Sequence, residues 1–166
     1  MDKPGNVFIL ESLQKLYKQS SMNENIDETK GYNMAFGSLS RSILEKLNVE
    51  LIDTLIGNCV ASPAKLSNDA ETRRQAVKSL INVVERLGMK SMDKTQLCDV
   101  LEVLYKALND YEVDRRGDVG SWVREEAMLS LSKFVKHALA TEDVHLLETL
   151  GATKPQFYER FVAKIL

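Results

Sequence analysis

One spacing recurs along this chain: an arginine, an alanine three residues on, and a leucine four residues beyond it. It occurs as Arg73, Ala76 and Leu80 in NDAETRRQAVKSL and again as Arg124, Ala127 and Leu131 in GSWVREEAMLSL. Tyr32, Ala35 and Leu39 form a weaker third copy. Steps of three and four place the three side chains on one helical face, and the small alanine lets a second helix approach closely. Offsets of about 40 to 50 residues between copies are those of paired-helix repeats of the HEAT and armadillo type. The pattern predicts an all-α chain, a HEAT/armadillo-like α-solenoid of about three helix pairs plus a partial fourth.

The same spacing predicts one helical-repeat domain, 1–166, with repeats at approximately 7–47, 49–88 and 94–140 and a partial one at 142–166. A stripe at 9, 10, 13, 16 and 17 predicts a helix over 7–19, and the polar run SSMNENIDETK predicts a loop. Lys30 to Leu47 reads as the next helix, with Tyr32, Met34, Ala35, Leu39, Ile43, Leu44 and Leu47 apolar and Gly37 permitting a close crossing or a bend. Val49 to Ala61 follows, ended by Ser62 and Pro63. Asn68 and Glu71 have capping-box spacing and open a helix that stops at Gly88. Asp93 opens the next, whose stripe is Leu97, Val100, Leu101, Leu104, Tyr105 and Leu108, running to about Asp110. Ser121 is the expected N-cap of a helix to residue 140, and Pro155 the first-turn residue of a last one.

The segment 109–131, NDYEVDRRGDVGSWVREEAMLSL, joins a charged loop to an amphipathic helix carrying the single tryptophan. Asp114, Arg115 and Arg116 are candidate partner contacts, because loop residues without packing duties are free to bind. The alternative is that they neutralise one another and tie the loop to neighbouring repeats. Asp118, Trp122, Arg124 and Ala127, with Arg73 and Ala76, read as the structural repeat motif. Trp122 fits packing between helices better than an interface hot spot, given Val123 and Ala127 beside it. Arg73 and Arg124 could pair with Asp118 or with carbonyls of adjoining repeats, or else face an acidic partner.

Charge and motifs argue against other classes of function. A formal net charge of −2 and a sequence pI near 5.8 give no basic field for nucleic acid or a membrane surface. No apolar run of about 18 residues is present, so no membrane insertion is expected. Cys59 and Cys98 lie far apart with no CxxC pair, and neither His137 nor His145 has a cysteine at zinc spacing, so no metal and no cofactor is expected. Phosphate-loop, dinucleotide and nucleophile-elbow motifs are missing. Glu125 and Glu126 point about 100° apart on a helix and cannot close on one bond. Ser121 and His137 are more than four turns apart. The RGD at Arg116 to Asp118 reads as a chance match.

The string DYEVDRRGDVGSWVREEAM, with KGYNMAFGSL at 30–39 and AETRRQAVKSL at 70–80, resembles the carboxy-terminal part of the tubulin-folding cofactor D family. Its specific part is the combination of Gly117, Asp118, Val119, Gly120, Trp122, Val123, Arg124 and Ala127. Lys30 and Asn109 depart from the family pattern, which has arginine and an acidic residue there, and are assigned no role. Members are much longer, so the resemblance implies one internal slice of a cytoplasmic, cytoskeleton-associated chaperone that is not itself an enzyme. It implies binding to β-tubulin, a part in α/β-tubulin assembly and disassembly with cofactors C and E, and promotion of GTP hydrolysis on tubulin together with other cofactors. It further implies an ADP-ribosylation-factor-like GTPase as a partner. Spacing alone supports a generic HEAT-repeat adaptor.

Overall fold

The structure, a computed structural model, describes residues 25–62 and 68–142 together with Ser12, Lys15 and Glu148. Apart from those three residues, the helix expected over 7–19 and the partial repeat beyond 142 lie outside the described residues. What is described is mostly helical: α1 (Ile26–Phe36), α2 (Arg41–Asn58), α3 (Ala70–Leu87), α4 (Lys94–Ala107) and α5 (Gly120–Ala140). A 3-10 turn, Met89–Ser91, precedes α4. Between α4 and α5 the short strands β1 (Val113–Asp114) and β2 (Gly117–Asp118) pair antiparallel.

Local signals set most helix ends. The Asn25 side chain accepts from the backbone N–H groups of Asp27 and Glu28 and so starts α1. Residues 26–29, expected in a loop, are therefore helical. Asp69 caps α3 by accepting from Thr72, which displaces the cap expected at Asn68 by one residue. Asn68 instead donates from Nδ2 to the Val60 carbonyl. Gly88, at φ +78°, ends α3 in a conformation that L side chains rarely adopt. Asp93 caps α4 through Thr95. At α5 the expected cap, Ser121, is not the cap: Asp118 accepts from the Ser121 N–H, and the helix begins at Gly120.

The largest correction lies between 30 and 61. The single helix expected from Lys30 to Leu47 breaks at Gly37, and α2 then runs unbroken through 48–49 to Asn58. Position 37 tolerates no side chain, since a Cβ there would lie 2.6 Å from Ser79 Oγ and 2.9 Å from Ser79 Cα. Glycine at this position thus lets the end of α1 touch α3. The stripe assumed for α1 is also displaced: Met34 is 52 % exposed and Ala35 exposed, while Asn33 and Phe36 are buried.

The contacts define two ranks. Lys30 pairs with Glu71, Asn33 donates to the Thr72 carbonyl, and Gly37 abuts Ser79, so residue numbers climb together and α1 and α3 run parallel. Arg74 pairs with Glu126, and Glu85 with Lys133 and His137, which makes α3 and α5 parallel too. Helices α2 and α4 form the opposed rank: Arg41 reaches Ser91 beyond the end of α3, while Asn58 reaches Asn33. As the central helix, α3 buries Ala76, Val77, Leu80, Ile81, Val83, Val84 and Leu87. Ala76, Leu80, Ala127 and Leu131 are fully buried, and each leucine contributes roughly 1.5–3 kcal/mol by leaving water.

Candidate functional site

The two arginines of the repeated spacing meet one loop. Arg73, only 2 % exposed, donates from Nε to Asp110 Oδ2 at 2.6 Å, from Nη2 to Asp110 Oδ1 at 3.1 Å and to Glu112, and from Nη1 to the Asn68 carbonyl at 2.6 Å. The Asp110 side chain is itself buried. Burial opposes the Arg73 charge, but the carboxylates of Asp110 and Glu112 outweigh it and hold the guanidinium above its ordinary pKa. A guanidinium forked onto a carboxylate in this way is both strong and directional.

Arg124 holds the same loop from the other side. It donates from Nη2 to Asp118 Oδ2 at 2.6 Å and from Nη1 to the Asp110 carbonyl, and its guanidinium lies 4.5 Å from the centroid of Tyr111. The Arg124 hydrogen bond keeps the Asp118 carboxyl below its usual range. Gly120 completes the junction by donating its N–H to the Glu112 carbonyl at 2.9 Å. A Cβ at 120 would sit 2.5 Å from the Asp110 carbonyl oxygen, so only glycine lets α5 start against this loop.

The segment expected as plain loop is a hairpin. Asp114 accepts from the Arg116 backbone N–H at 2.7 Å, and Gly117 takes φ +104° directly after the two-residue tip. Neither Arg115 nor Arg116 has positive φ, which fits a turn followed by a glycine bulge. The Arg116 side chain folds back on Asp114, at 2.9 Å from Nε and 2.7 Å from Nη2, and stacks over Trp122 at 5.0 Å. Its hydrogen bonds depress the Asp114 carboxyl.

Of the candidate contacts Asp114, Arg115 and Arg116, the first and last are therefore spent on each other, and only Arg115 has no hydrogen bond or ion pair among the described residues. Reversing both arginines would not be structurally silent, because glutamate at 116 would face Asp114. Trp122 is half-buried against the core with Arg116 across its face. Ala76 and Ala127 lie in the core away from this surface. Sequence reasoning missed Asp110, the node shared by both arginines, and the outward Tyr111 and Val113, each 70 % exposed. The alternation Tyr111, Val113, Arg115 was the available signal for a strand edge.

The Arg73 node walls an open cleft of about 500 Å³ that also touches Cys59, Asn68 and Tyr111. Burial pushes the Cys59 thiol far above its ordinary pKa, which removes it as a nucleophile. Ser121 and His137 stay at opposite ends of α5, occupied by Asp118 and Glu85. The geometry makes a braced protein surface.

No protein-family model and no solved structure matches the chain. The chain is similar to Tubulin-specific chaperone D of Dictyostelium discoideum, at 26 % identity over 155 residues. That alignment takes in 81 % of this chain and 10 % of that protein, so the similarity is to a partial stretch of a much longer relative.

Proposed function

We propose that this chain is a HEAT/armadillo-like α-solenoid slice of a tubulin chaperone that binds β-tubulin and takes part in assembly and disassembly of the α/β-tubulin heterodimer. The observation that carries this reading is the similarity to Tubulin-specific chaperone D along 81 % of the chain. Two opposed ranks of helices, with parallel neighbours in register at α1, α3 and α5, support the repeat architecture, which suits large protein ligands. The whole protein would act in the cytoplasm with cofactors C and E and an ADP-ribosylation-factor-like GTPase, promoting GTP hydrolysis on tubulin without being an enzyme itself.

The test is direct binding of the purified 166-residue chain to purified α/β-tubulin, followed by calorimetry and by size-exclusion of the mixture. Saturable binding with co-elution is expected. Absence of any complex, with capture of transport or phosphatase subunits from extract instead, would replace this reading by the generic adaptor.

A further inference from the structure

The hairpin at 110–120 is braced from every side, yet it leaves Val113, Arg115 and one face of Tyr111 outward. Arg73 holds Asp110 and Glu112, Arg124 holds Asp118 and the Asp110 carbonyl, and Arg116 is clamped between Asp114 and Trp122. The Asp114 turn, the Gly117 bulge and the Gly120 contact fix the backbone. What remains outward is Val113, the free face of Tyr111 and Arg115.

We infer that this hairpin is a preformed docking finger through which Tyr111, Val113 and Arg115 engage a carboxylate-bearing, partly apolar patch on tubulin. The inference rests on the tubulin-binding reading and names its contact. Charge is distributed along the finger with a sign. The surplus of negative charge sits at its root, where Asp110 and Glu112 share the single guanidinium of Arg73. At the tip, the single carboxylate of Asp114 pairs with Arg116 and also attracts Arg115, so one positive charge is left over, and Arg115 is exposed with no ion pair among the described residues. The tip therefore selects a negative partner. Tyrosine and arginine are residue types enriched in interface hot spots, and the exposed valine between them adds apolar surface to the same side. Because the backbone is already fixed, docking loses little further conformational freedom.

The experiment measures affinity of the full chain for purified α/β-tubulin in wild type, Arg115→Glu and Val113→Asp. A control, Lys136→Glu, makes the same charge change on the exposed face of α5. Both hairpin variants should bind at least about tenfold more weakly, with melting curves like wild type, and Lys136→Glu should bind like wild type. Tubulin binding that survives both hairpin changes would overturn the finger and leave the tubulin reading standing. Equal weakening in all three variants would overturn it too, by reducing the effect to net charge. A wild-type chain that binds no tubulin would overturn the underlying reading and this contact with it. Self-association of the chain that Arg115→Glu abolishes would show a second copy as the occupant and overturn the tubulin assignment.

Discussion

Arg73 and Arg124 occupy the same place in the same spacing, yet the structure uses them differently. Ala76 and Ala127, Leu80 and Leu131 are all fully buried, so the apolar part of the motif behaves identically in both copies. Arg73 is sealed between α3 and the loop after α4, on a carboxylate that is itself buried. Arg124 keeps about a fifth of its side chain in water and is paired with the half-exposed Asp118 of its own preceding loop. The lesson is that the alanine and leucine mark a shared packing face, whereas the arginine's worth depends on how deeply the carboxylate it grips is buried.

Three measurements break or sharpen that contrast. The largest effect is expected for Arg73→Ala, which strands a buried carboxylate and should cost about 3–5 kcal/mol, lowering the melting temperature by roughly 10 °C or more. Removing Asp110 in the same chain should recover part of the loss, and a double-mutant cycle by chemical denaturation reads the coupling. Arg124→Ala should cost only about 1–2 kcal/mol, seen as a melting shift of a few degrees. Equal losses for the two variants would erase the distinction between sealed and half-open nodes. The smallest effect is a titration: by NMR, the Asp118 carboxyl should protonate below the ordinary value of about 3.9. A depressed folded-state pKa means that its contribution to stability is present above the unfolded value and is lost as pH falls through the folded one. An ordinary midpoint would show the Arg124 pair to be absent in solution.

Features decided within one turn of chain were legible in the sequence. Gly88 ends α3 and Asp93 caps α4 as expected, because a glycine conformation and a side-chain cap are set by neighbours. The α4 stripe of Leu97, Val100, Leu101 and Leu104 is buried for the same reason. The α1–α2 boundary was not legible, because Gly37 at that boundary is packed against Ser79, far along the chain. The third copy of the spacing fails structurally as well, since Ala35 faces outward and Phe36 takes the buried position. Within the candidate site, Asp110 was invisible because its partner Arg73 belongs to another helix, and for Asp114 and Arg116 mutual neutralisation could be named but not chosen over availability, because pairing across a turn leaves no mark in composition.

The shared direction of α1, α3 and α5 gives the molecule an electrical polarity. Their N-terminal ends, each carrying about half a positive charge, gather where Arg73, Arg116 and Arg124 also lie, and the opposed α2 and α4 offset only part of it. Asp27, Glu28, Asp69, Glu71, Asp110 and Asp118 stand among those cations. At the far end Arg86 donates to the Leu39 carbonyl beyond α1, and Lys133 pairs with Glu85 between α5 and α3. Salt therefore acts unevenly within this one end of the molecule: dissolved ions screen the half-exposed Arg124–Asp118 pair, while the buried Arg73–Asp110 pair beside it is largely shielded from them.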